Sequence, residues 1–134
     1  AGGLSDAASV RAAMAAGASA IQAGTAFLLC PEATTGAVHR ARLKDGDAPT
    51  ALTNLFSGGL ARGLFNRLMN ELGPVSSRAP AFPLASGALA PLRAQAEAQG
   101  RDDFTPLWSG TNRAGCRELP AAEIVRALAA GFVA

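Results

Sequence analysis

Two glycine-bearing turns, Gly2-Gly3 and Gly24-Thr25, constrain this chain more than any other feature, because one helical stretch and one strand-length stretch lie between them. Ser5 and Asp6 are helix N-caps by type, residues 7–16 are alanine-rich with Val10 and Met14 one turn apart, and Gly17 closes the run. Residues 18–23 form an apolar run of strand length, bounded by Gly17 and Gly24. Turn, helix, strand and turn are half of a β/α unit. In a parallel β/α barrel the two turns fall side by side at the C-terminal ends of neighbouring strands, where functional groups gather and the last two βα loops often bind a phosphate. Glycine admits close approach, its amide points outward, and a following helix N-terminus offers partial positive charge to an anion. Thr25 adds a neutral hydroxyl donor. A glycine pair before a helix is a weak signal, since most are only tight turns; the spacing is what strengthens it.

Further along, residues 26–30 are an apolar run halted by Pro31, expected to be the buried start of a helix or loop. Residues 34–44 read as a helix with Val38 and Arg42 on one face, and residues 49–56 as a short extended segment. The recurrence of Leu60, Leu64, Leu68 and Leu72, stopped by Gly73-Pro74, predicts a helix over 60–72. Residues 74–83 are expected to be extended. Residues 89–99 are expected to be helical with Pro91 in the first turn, residues 102–115 a loop holding Trp108, and Pro120 starts a last helix with Ile124, Leu128 and Phe132 on one face.

Apolar residues make up 49% of the 134 and charged residues 16%, a globular rather than a disordered balance. The net charge of +2 comes with basic residues scattered among acids, so no nucleic-acid footprint stands out. Cys30 and Cys116 lack the paired spacing of a zinc or redox motif and are expected to be reduced packing residues. No apolar stretch reaches the ~20 residues of a membrane span. A soluble, cytoplasmic protein is expected, and the glycine pair at the very start suggests a segment of something longer.

The text around the two turns, Ala1-Gly2-Gly3-Leu4-Ser5-Asp6 and Ala20-Ile21-Gln22-Ala23-Gly24-Thr25-Ala26-Phe27-Leu28, resembles the flavin-phosphate segment of the nitronate monooxygenase (2-nitropropane dioxygenase) family. It is also similar to FMN-dependent enoyl-ACP reductases, so that segment alone does not choose the reaction. Cys30-Pro31-Glu32-Ala33, the stretch from Ser57-Gly58-Gly59 to Asn66-Arg67, Leu107-Trp108-Ser109-Gly110 and Glu118-Leu119-Pro120 resemble the nitronate monooxygenase C-terminus in order and spacing. Where that family often reads tryptophan-alanine-glycine-glutamine-glycine, this chain has Trp108-Ser109-Gly110-Thr111-Asn112.

The resemblance implies an α/β fold, the C-terminal part of a (β/α)8 TIM barrel with an appended mostly helical segment. Residues 1–30 would be the last βα units of the FMN-binding barrel and 31–134 a helical region packing on it. It implies FMN as cofactor, contacted by Gly3, Gln22, Ala23, Gly24 and Thr25 with Gly2 supporting the turn. Alkyl nitronates and O2 would be the substrates, and the upstream chain of the barrel a partner; a homodimer is compatible. The family's catalytic histidine lies upstream, so no catalytic residue is assigned here and the isolated chain is expected to be inactive. A rival of another class is a non-catalytic fragment or binding module.

Several residues invite sharper readings than their surroundings support. His39, the sole histidine, sits in mid-helix without an acid or thiol motif and is expected to pack rather than act as a base. Ser57 and Ser109 lack the setting of a nucleophile elbow. Asp45, Asp47, Asp102 and Asp103 are expected to be solvated turn residues, too isolated for a metal cage. Arg62 and Arg67, on different faces of the expected helix, need not both meet an anion. A single tryptophan is more commonly a core anchor than a ligand wall.

Overall fold

The computed structural model describes residues 1–132 and folds them as two compact units, Ala1–Thr35 together with the stretch from Gly110 onward, and Gly36–Ser109.

In the first unit, helix α1 (Ala7–Ala15) is started by Asp6, whose side chain accepts from the Ser9 amide at 2.7 Å while Ser9 Oγ accepts from the Asp6 amide at 3.2 Å, a reciprocal cap. It ends as Gly17, at φ 92, allows the amides of Gly17 and Ala18 to reach the carbonyls of Met14 and Ala13. Residues 18–23, expected to be a strand, pair with no described residue; a strand exists only through a neighbour's ladder, and none is present in this unit. The Gly24-Thr25 turn leads into a single 3-10 turn, Thr25–Phe27, rather than a helix. Helix α5 (Ala121–Ala129) packs Ile124 and Leu128 against Val10, Ala26 and Cys30, the core of the unit. Phe132, placed on the same face by periodicity, lies past the helix end and is 49% exposed. The returning stretch is seated closely: a Cβ on Gly115 would stand 1.5 Å from the Ser5 carbonyl oxygen, so only glycine fits.

The second unit contains helix α2 (Ala37–Lys44), strands β1 (Thr50–Thr53) and β2 (Ala61–Leu64), and helices α3 (Arg67–Leu72) and α4 (Leu84–Ala98). The strands pair antiparallel, Thr50 opposite Leu64 and Thr53 opposite Ala61, and Gly63 also bridges to Trp108. The helix expected over 60–72 is therefore two elements. The four-residue leucine spacing misleads because Asn66 caps a new helix by accepting from the Met69 amide, and Leu64 is fully buried while Leu60 is 67% exposed. Helix α4 starts five residues before the expected position, which puts Pro91 in its interior, where it removes the amide that the Gly87 carbonyl would accept. The core holds Leu55, Phe56, Leu68 and Met69, with Trp108 edge-on to Phe56 at 5.9 Å.

The described residues thus form a small α/β chain with one two-stranded sheet. None of their helices is long and apolar enough to cross a membrane, and both cysteines are free thiols.

Candidate functional site

Gly2 and Gly3 have successive positive φ values of 85° and 70°, a conformation that side chains resist. The consequence is a tight turn ahead of α1. Thr25 Oγ1 accepts from the Gly110 amide at 2.9 Å. The point where Gly110 would carry a Cβ is 3.5 Å from Thr25 Oγ1 and 3.6 Å from the Gly3 nitrogen, so three segments far apart in sequence meet around it. A Cβ on Gly3 would be 3.6 Å from Thr111 Oγ1.

The amides of Gly3, Gly24 and Thr25 donate to no other described residue, while the Gly24 and Thr25 carbonyls accept from Phe27 and Leu28. These amides stay available to an incoming acceptor. A Cβ on Gly24 would meet nothing within 4 Å, so the space beside that turn is also open. The two glycine turns therefore lie together, as their spacing predicts.

The electrostatics differ from the expected form. The N-terminus of α1 is already occupied by the Asp6 carboxylate, which Asn112 Nδ2 also approaches at 3.2 Å. The Ser9 amide, with the Asn112 and Ser9 side chains, holds that carboxyl below the usual aspartate range. The 3-10 turn after Gly24 is too short to build a helix dipole. What the site offers an anion is individual amides and a hydroxyl, not a helix end. Such a donor set fits a phosphate monoester, which needs several short hydrogen bonds and close backbone approach.

Gln22 and Ala23 have a different outlook. They border a largely apolar groove of about 430 Å³ shared with Ile21, Phe27, Val125 and Phe132. Gly110 was not signalled by any spacing, since 85 positions separate it from Thr25.

His39 is structural in its setting. Its Nε2 lies 3.0 Å from the Trp108 carbonyl oxygen, which can only accept, so Nε2 carries the proton. Burial, aided by the nearby Arg93 charge, lowers its pKa against the opposing effect of that hydrogen bond. It lines a cavity of about 200 Å³ in which Arg93 is paired with Glu97 at 2.8 Å and Thr105 donates to the same carboxylate. The acidic pair expected in solvated turns is engaged instead: Asp102 pairs with Arg42 at 2.7 Å, and Asp103 with Arg67 and Arg101. Arg62 donates to Thr50 Oγ1, and Arg67 also binds Glu71, so both arginines serve the fold. Ser57 Oγ turns back onto Gly59, a loop contact. No group of His, Cys, Asp and Glu among the described residues is arranged to hold a metal ion.

A protein-family profile described as Nitronate monooxygenase matches residues 1–131. A nitronate monooxygenase from Pseudomonas aeruginosa is 45% identical over 130 residues, covering 96% of this chain and 37% of that protein. One from Paraburkholderia phytofirmans is 40% identical over 131 residues, covering 96% and 36% respectively. A crystal structure of nitroalkane oxidase from Streptomyces ansochromogenes superposes with a TM-score of 0.85 at 39% identity, covering 98% of this chain and 38% of that one. The chain thus spans little more than a third of the length of these relatives. By the family match over nearly all of its residues, the chain belongs to the nitronate monooxygenase family.

Proposed function

We propose that the full-length protein binds FMN non-covalently in a β/α barrel and oxidises alkyl nitronates with O2 to a carbonyl compound and nitrite, with this chain holding the flavin phosphate. The observation that supports this reading most is the meeting of Gly3, Thr25 and Gly110, with the Gly3 and Thr25 amides uncommitted among the described residues. A phosphate monoester brings nearly two negative charges and three acceptor oxygens, and this is the ligand chemistry that several convergent neutral donors serve. In this reading Gly2 shapes the turn, and Gly3, Gly24 and Thr25 donate. Gln22 and Ala23 are assigned to the flavin by the family resemblance, whereas their described surroundings are the apolar groove beside α5.

Residues 1–30 then supply the last βα units of the barrel, with 18–23 as a strand whose ladder partners come from elsewhere in the full-length protein. Residues 31–134 form a C-terminal region packed on it. Bound FMN supplies the redox chemistry, and the residues of this chain bind and orient it. No catalytic base is assigned here, since the only histidine is held by the Trp108 carbonyl. The relatives named as nitronate monooxygenases and a nitroalkane oxidase both point to organic nitro compounds as the substrate class.

The test is an aerobic assay of the full-length, FMN-loaded protein with a secondary alkyl nitronate. Oxygen uptake with release of nitrite is the expected result. Absence of nitrite, with NADPH consumed in the presence of an enoyl thioester, would transfer the fold to reductase chemistry.

A further inference from the structure

We infer that Gly110 is a positioning residue for cofactor selection: its backbone forms a third wall of the phosphate cradle and aims the Thr25 hydroxyl at the phosphate. This inference rests on the FMN reading above. The Gly110 amide has only a proton to give, so at 2.9 Å Thr25 Oγ1 must act as acceptor there. The hydroxyl proton is left to seek another acceptor, and no other described residue takes it. A hydroxyl fixed in this way is a donor prepared for an anion.

Space supports the same assignment. A Cβ on Gly110 would lie at ordinary contact distance from both Thr25 Oγ1 and the Gly3 nitrogen, without colliding with either. A methyl group there is compatible with the fold, yet it would rest against both donors, Thr25 Oγ1 and the Gly3 nitrogen. Glycine at 110 is thus explained by what the space must admit rather than by backbone strain. Thr111 stands close by, its Oγ1 3.6 Å from the Cβ position of Gly3.

The selectivity that follows is for a phosphorylated flavin over riboflavin, because the ring system does not need these donors. The experiment compares FMN and riboflavin binding to the full-length protein by quenching of flavin fluorescence, for wild type, Gly110→Ala, Thr25→Val and Thr25→Ser. Thr25→Val is expected to weaken FMN by roughly tenfold to a hundredfold, the loss of a hydrogen bond to a charged group, and Gly110→Ala, whose methyl group crowds the two donors, by a comparable factor. Riboflavin affinity should be unchanged, and Thr25→Ser should restore FMN binding. A Gly110→Ala protein that binds FMN as wild type does, or that loses both flavins equally, would overturn the inference. If wild type itself shows no preference for FMN over riboflavin, the FMN-phosphate reading fails first, and this inference falls with it. Retained preference in wild type with an unaffected Gly110→Ala protein would sink the Gly110 role alone.

Discussion

The Gly110 amide donates to Thr25 Oγ1 at 2.9 Å across 85 positions of sequence. That bond fastens the returning stretch of the first unit to the second glycine turn, beside the Gly3 amide. The site is therefore made by chain return as much as by local turn chemistry, and its integrity depends on how closely that return is seated.

Gly115 supplies the seat. Since a Cβ there would stand 1.5 Å from the Ser5 carbonyl oxygen, Gly115→Ala must displace backbone. The substitution is expected to cost about 3 kcal/mol, in the upper range for overpacking. Denaturant unfolding of the full-length protein checks it, and a midpoint equal to wild type would contradict the packing described.

Leu64 and Leu60 offer a direct test of strand against helix in the second unit. Leu64 is fully buried and Leu60 is 67% exposed. Leu64→Ala is expected to cost about 2–5 kcal/mol and Leu60→Ala within about 0.5 kcal/mol. Comparable losses would favour a continuous helix with both leucines on its buried face.

These leucines also show where the sequence is legible and where it is not. The capped α1, the short extended segment at β1 and the last helix follow from local signals, Asp6, the short apolar run over 49–56 and the spacing of Ile124 and Leu128. The stretch over 60–72 does not, because a leucine every fourth residue is compatible with a helix until Asn66 and the Gly63 pairing to Trp108 are known. Residues 18–23 carry strand chemistry but have no partner among the described residues. The adjacency of the two glycine turns was readable from spacing, whereas Gly110 was not, because a loop that returns from far along the chain leaves no periodic trace.

Asp6 makes α1 sensitive to acid. Its native pKa is depressed, chiefly by the Ser9 amide, so the cap's contribution is present above the ordinary aspartate value of about 4 and is lost as pH falls through the lower native one. Asp6→Asn keeps a capping side chain but removes that titration. Circular dichroism of acid unfolding should show a shallower pH dependence in the variant; an unchanged profile would mean that Asp6 does not contribute to it.

His39 acts over a different range. Its native pKa is depressed by burial, so folding favours the neutral ring. The stabilisation is complete above the ordinary imidazole value of about 6.5 and is lost as pH falls through the native value. Thermal midpoints should fall on acidification below about pH 6.5, and His39→Gln should flatten that part of the profile. An identical slope in the variant would assign the pH dependence elsewhere.

The most direct measurement of the proposed phosphate cradle is titration of the full-length protein with FMN after Gly24→Leu. Nothing lies within 4 Å of the Cβ position at Gly24, so the fold has room for the side chain, and in the proposed cradle that room is what the phosphate would take. Unchanged thermal stability with FMN affinity reduced by about tenfold or more is the predicted result. Wild-type FMN affinity in a protein with leucine at that turn would contradict the account at its centre.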